Sequence, residues 1–134
     1  GVNQPWQHEG LCGFALLNYW ETRYGLDARQ SLQYAQADAA MRVTVPGGLT
    51  PGCPVDYYGD WTDYRTVAFG RGTAALCALD LALEGGLDGF LARYAETFAF
   101  AQATRTDFET LLAAATGQDW SPLLSDYLDT NLNN

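Results

Sequence analysis

A chain of 134 residues with one histidine, His8, is poor in the side chain that most metal-binding and acid–base motifs need in pairs. A His-Glu pair with no second histidine four positions on is not a zinc motif. Basic residues are also scarce. Seven stand against sixteen acidic ones, a net charge of −9, which argues against a phosphate-backbone partner and so against nucleic acid. Cysteine numbers three, an odd count with no metal-ligand spacing, and that excludes a disulfide framework. Cys12 and Cys77 fall within helical patterns, where a thiol is expected to behave as a small buried hydrophobe, whereas Cys53 lies in a Pro/Gly loop and is expected to be exposed. No window approaches the roughly 18 uninterrupted apolar residues that would span a membrane. Signal-peptide and lipidation patterns are missing as well. So are strand-like alternation, internal repeats and low-complexity tracts.

What is present is helical period. Glu9 to Tyr24 reads as a helix, with Leu16, Leu17, Trp20 and Tyr24 on one face and Gly25 placed to end it. Ala28 to Met41 reads as a second, with Leu32, Ala35 and Ala39 along one side and Asp27 as its N-cap. Residues 42–59 then dissolve into Val-Pro-Gly-Gly, Thr-Pro-Gly and Cys-Pro, a density of breakers that forbids a long regular element. Asp60 or Thr62 is positioned to cap a helix that carries Tyr64 and runs towards Glu84, with a kink at Gly70 or Gly72. Gly85-Gly86 stops it, and Phe90, Leu91, Tyr94 and Phe98 restart the period. Thr106 and Glu109 form a capping-box pattern ahead of the stripe Phe108, Leu111, Leu112 and Ala115, and Gly117 ends that helix. Ser121-Pro122 is a start signal for Leu123, Leu124, Tyr127 and Leu128, and residues 131–134 should fray. The expectation is an all-α fold. It is a compact orthogonal bundle of about six to seven helices in a single domain, 1–134, with one long Pro/Gly-rich loop at 42–59.

Two short runs bear on chemistry. Trp6-Gln7-His8-Glu9-Gly10 puts a carboxylate in an early helical turn, and Tyr64-Arg65-Thr66-Val67-Ala68-Phe69-Gly70-Arg71-Gly72 opens the longest apolar helix. Taken alone, Glu9 is what a helix dipole favours near an N-terminus. Taken in order and spacing, the two runs resemble the Trp-x-x-Glu-Gly segment and the Tyr-x-x-x-x-Tyr-x-Lys-Gly run of aminopeptidase N-like metallopeptidases of the gluzincin group. The likeness extends from about Trp6 to Leu128 through Leu79–Gly85, Phe90-x-x-x-Tyr94, Thr106-Asp107-Phe108 and Gly117-x-Asp119, with a variable loop at 42–59.

The resemblance implies the helical C-terminal part of a zinc metallopeptidase catalytic domain. Glu9 matches the third zinc ligand, a carboxylate that suits zinc beside two neutral imidazoles. Tyr64 matches the first tyrosine of the run, and Phe69 stands where the family's oxyanion-donating tyrosine stands, keeping the ring and losing the donor. Arg71 takes the lysine position. The His-Glu-x-x-His segment that carries the other ligands and the general base is absent, so zinc is the cofactor of an intact parent domain and none is expected on this chain alone. The partners implied are the missing His-Glu-x-x-His lobe, a peptide substrate in the intact enzyme, or a second copy of the chain covering the exposed lobe face. Glu9, Tyr64 and Phe69 should line one hollow. The alternative is a non-catalytic helical module that binds protein or peptide through Tyr57, Tyr58 and Trp61, since such residues combine large contact area with a polar tip.

Overall fold

Six helical rods form around one crossing of small residues in a computed structural model that describes residues 4–97 and 104–130. Helix α1, Pro5–Tyr24, begins with proline in its first turn and ends at Gly25, whose φ of 98° and N–H bond to the Glu21 carbonyl (2.8 Å) form the stop. Its buried side is Trp6, Gly10, Gly13, Phe14 and Leu17. Of the stripe expected from hydrophobic period, only Leu17 is fully buried, while Leu16 and Trp20 are half-buried and Tyr24 is exposed. The glycines explain the rotation. A Cβ on Gly10 would come within 2.9 Å of the Gly72 carbonyl oxygen, and one on Gly13 would overlap the Thr73 side chain. Backbone therefore meets backbone on that side, and the helix turns its small residues inward.

The facing rod is continuous: α3, Trp61–Tyr64, a π-helical segment Arg65–Arg71, and α4, Gly72–Ala82. Asp60 caps it, accepting the Asp63 N–H at 2.8 Å. Where glycine was expected to kink the rod, the backbone instead takes the wider π turn, and the segment ends at Arg71 beside Gly72. Gly72, Thr73, Ala74, Ala75, Leu76 and Leu79 are all buried, which makes α4 the central helix. It closes through Glu84 (φ 56°) and Gly85 (φ 85°).

Helix α2, Leu26–Gln33, continues as a π turn, Tyr34–Asp38. Because the helix starts at Leu26, Asp27 falls in its first turn and makes no cap bond; Gly25 occupies the cap position. The π turn also shifts the register, so the buried alanines are Ala37 and Ala40 rather than Ala35 and Ala39. A Cβ on Gly70 would lie 2.5 Å from the Ala40 methyl, marking a second close crossing.

Helices α5, Leu87–Thr97, α6, Arg105–Thr116, and α7, Ser121–Leu128, close the main core over α1 and α4. Phe108 is its aromatic hub, edge-on to Trp6 (6.1 Å), Phe90 (5.4 Å) and Tyr94 (5.2 Å). The capping box of α6 is Thr104 with Asp107, not Thr106 with Glu109. Both pairs have the right spacing. The earlier start lets Arg105 reach Asp129 bidentately at 2.7 and 2.8 Å, tying the head of α6 to the tail of α7. Gly117 ends α6 with φ 74°, and Pro122 falls in the first turn of α7, both as expected. Phe98 and residues 131–134 lie outside the described residues.

The segment 42–59 contains one short 3-10 turn, Val55–Tyr57, and is pinned at several points. Val45 and Leu49 pack with Val67 in a small second core, against which Tyr58 rests. The Gly52 N–H reaches the Leu128 carbonyl at 2.6 Å. Cys53 corrects the cysteine expectation: it is buried, with its sulfur 3.4 Å from the Thr50 N–H and the Gly48 carbonyl, while Cys12 is exposed and Cys77 half-buried. A loop that folds back on itself buries its own small residues, whatever its proline content.

Candidate functional site

Two residues distant in sequence meet at the mouth of the α1–rod crossing. The Tyr64 hydroxyl donates to Glu9 Oε2 at 2.7 Å across a separation of 55 residues. Glu9 sits in the second turn of α1 and Tyr64 closes α3, so the close approach of the two rods brings them together. Both are half-buried. The Tyr64 ring is fixed on two sides. Trp61 stacks on it at 5.6 Å with planes 19° apart, and Tyr58 meets it edge-on at 5.3 Å. Tyr58 is in turn held by its own hydroxyl, which donates to the Thr50 carbonyl at 3.0 Å. The sulfur of Cys53 bonds back to Thr50 as well, so the loop buttresses the tyrosine pair.

The electrostatics are set by this packing. Burial first, then the bond to Glu9 and that carboxylate's charge, push the Tyr64 phenol up to about 12. Burial also raises Tyr58 well above the tyrosine range, helped by Cys53 and Tyr64, with Arg71 opposing. The sign of the linkage is fixed. A phenol whose folded pKa exceeds its unfolded value near about 10 contributes stability that is complete below that value and lost as pH rises towards 12. Tyr64→Phe should therefore remove one late-titrating phenol from the tyrosinate absorbance curve and flatten the fall in stability between pH 10 and 12. If the phenol removed is one that titrates in the ordinary tyrosine range, and the fall in stability is unchanged, the cover and the bond to Glu9 do not persist in solution.

The other predicted site residues are placed differently. Phe69 lies on the π segment, half-buried, and among the described residues no ring contact joins it to Tyr64. Arg71 is fully buried and points inward. Its Nε donates to the Ala40 carbonyl at 3.0 Å and its Nη2 to the Val43 carbonyl at 2.6 Å. Burial lowers its pKa, with Tyr58 opposing. Arg71 thus acts as an internal strut between the rod and the start of the long loop. Flanking glycines at 70 and 72 were the available sign of close packing there. His8 is exposed, with Nε2 3.8 Å from Cys12 Sγ, a neighbour that helical spacing of four could have revealed. Partial covering of the sulfur, then the Glu9 charge, raises the Cys12 thiol.

Among the described residues no group of three His, Cys, Asp or Glu side chains is arranged to hold a metal ion. Among the described residues, Glu9 therefore has no two further ligands grouped with it of the kind a catalytic zinc needs. Nor is any described helix long and apolar enough to cross a membrane. No family model, curated protein or solved structure matches the chain.

Proposed function

We propose that the chain is the helical C-terminal part of a gluzincin-type zinc metallopeptidase catalytic domain, aminopeptidase-like, which hydrolyses peptide bonds only when joined to a lobe bearing His-Glu-x-x-His. The observation that supports this reading is the 2.7 Å bond between Tyr64 and Glu9. The resemblance assigns Glu9 and the Phe69 position to one cleft with Tyr64 lining the same hollow; the bond joins Glu9 to Tyr64 only, and nothing in their local sequence requires them to meet.

In this reading the chain's own contribution is positional. Helix α1 holds the Glu9 carboxylate and Tyr64 fixes its orientation with a charge-assisted hydrogen bond. Phe69 supplies a ring and no donor, which makes the copy weak: loss of one oxyanion donor costs about a hundred- to a thousandfold in rate. The test is to join the chain to a His-Glu-x-x-His lobe and measure hydrolysis of aminoacyl anilides. Glu9→Gln should abolish turnover, and Phe69→Tyr should raise it by up to about a hundred- to a thousandfold. A joined, folded protein that turns over no substrate even with Phe69→Tyr would sink the reading.

The isolated chain gives a separate check. After dialysis, elemental analysis should find no stoichiometric zinc, since Glu9 alone supplies too few ligands. One zinc per chain, lost on Glu9→Gln, would overturn this.

A second reading is favoured by one observation: Tyr57 and Trp61 are 66% and 71% exposed, the first next in sequence to Tyr58 and the second stacked on Tyr64. Large aromatics left open beside a fixed tyrosine suit a non-catalytic module that binds protein or peptide.

A further inference from the structure

The ridge at Trp61 combines aromatic faces with charge of one sign. Asp56, Asp60 and Asp63 alternate with Tyr57, Tyr58, Trp61 and Tyr64, and Glu9 stands beside Tyr64. Across 54–65 the only cation is Arg65, so with Glu9 the four carboxylates leave this patch with three net negative charges. Elsewhere the chain uses its arginines on its own rings: Arg23 lies over Tyr24, Arg29 over Phe14 and Arg42 over Tyr34. Among the described residues no cation lies over Tyr57 or Trp61, the two most open rings of the ridge. The indole is nevertheless pre-oriented, because Tyr64 stacks on it and is itself held by Tyr58 and Glu9.

We infer that this ridge docks an arginine-bearing segment of a partner polypeptide. A guanidinium lies over the open indole of Trp61, and the aspartates of 56–63 with Glu9 supply the counter-charge. Tryptophan is the best cation–π acceptor, and arginine is its commonest partner. The planar ion is also weakly hydrated, so it stacks on a ring with less loss of solvation than an ammonium does. Tyr57, an open ring four residues before Trp61, is available to a second side chain of the same segment, which favours a peptide over a small free cation. This rests on the second reading above and names its partner.

The experiment titrates the full chain with fluorescently labelled oligo-arginine, oligo-lysine and a neutral Ala/Gln peptide of equal length, following anisotropy. Oligo-arginine should bind more tightly than oligo-lysine, and the neutral peptide not at all. Trp61→Ala should weaken oligo-arginine binding about fivefold and erase its advantage over oligo-lysine, with Trp61→Phe keeping part of it. Asp56→Asn with Asp63→Asn should weaken both cationic peptides, as should added salt. Because Trp61 is largely exposed, these variants should keep their helical circular dichroism; should Trp61→Ala lose it, Trp61→Phe carries the comparison. Equal binding of the two cationic peptides, untouched at Trp61, would reduce the ridge to bulk acidity and overturn the inference. A neutral peptide that binds equally well would leave a binding face but remove its preference for cations. No binding by any peptide would remove both, and self-association lost with Trp61→Ala would assign the ridge to a second copy.

Discussion

Gly13→Ala should cost about 3 kcal/mol of folding stability, the upper range for forcing atoms into a packed core. The added Cβ would sit inside the space of the Thr73 side chain, and Thr73 is itself fully buried on α4. It cannot swing away into solvent, so the two rods must separate. Gly10→Ala should be similar in sign, since its Cβ would press on the Gly72 backbone carbonyl at 2.9 Å, and backbone gives less readily than a side chain. Gly89→Ala in α5 is the control. Nothing lies within 4 Å of its Cβ position, and replacing an exposed helical glycine should stabilise by about 0.5–1 kcal/mol. Thr73→Ala removes the hydroxyl and methyl from the collision and should recover part of the Gly13→Ala loss, a coupling expected only of residues in contact. Chemical unfolding of the four single variants and the Gly13→Ala/Thr73→Ala double variant decides it. A Gly13→Ala protein within about 0.5 kcal/mol of the parent would mean the rods do not cross this closely.

The same glycines show why the sequence was legible in some places and not in others. Gly25, Gly85 and Gly117 announce themselves, because a positive φ excludes most other residues and the signal is local. Phe108 with Leu112 and Leu124 with Leu128 were equally readable, since simple helical period accounts for their burial. Gly10 and Gly13 act across 60 or so residues of chain, against Gly72 and Thr73, and period analysis scores them as gaps in the apolar face. The face of α1 was consequently read one strip away from where it lies. The π turns at Tyr34–Asp38 and Arg65–Arg71 carry no local residue code, and each rotates the residues C-terminal to it, which moved the α2 face from Ala35 and Ala39 to Ala37 and Ala40. The box of α6 forms two residues earlier than Thr106 and Glu109 predict, at Thr104 with Asp107, and that start goes with the distant Arg105–Asp129 pair, which no local pattern announces. At the candidate site the Tyr64 hydroxyl bonds to Glu9, a meeting on which composition and spacing alone were silent. The inward turn of Arg71 was hinted at only by its flanking glycines, because an arginine's burial depends on carbonyl partners that lie far away in sequence.

Those partners give Arg71 a structural weight that its sequence position does not announce. Arg71→Met, which keeps most of the side-chain length, should cost about 2–3 kcal/mol, because it strips the donors from the carbonyls of Ala40 and Val43. The loss is not the sum of two charged hydrogen bonds. Burying a guanidinium is itself unfavourable, as its lowered pKa indicates, and relief of that cost offsets part of the deficit. Val43 is also exposed, so water can take over its carbonyl, while Ala40 is buried and has less access to a substitute. Arg71→Lys should lie between parent and Met, since one compact ammonium cannot reproduce a fork that serves two carbonyls in different directions. Where the loss appears matters as much as its size. Arg71 ties the rod to the turn where the long loop begins, and that loop carries Thr50 and Tyr58, which buttress Tyr64 against Glu9. In Arg71→Met, amide hydrogen exchange should accelerate across 41–58 more than in α4 or α6, and the Tyr64 phenol should titrate closer to the ordinary tyrosine value as its cover loosens. If stability falls while exchange rises evenly over every helix, Arg71 is merely a core residue and the loop does not depend on it. If exchange rises only in the loop and the Tyr64 titration shifts with it, Arg71 supports the site from behind rather than facing it.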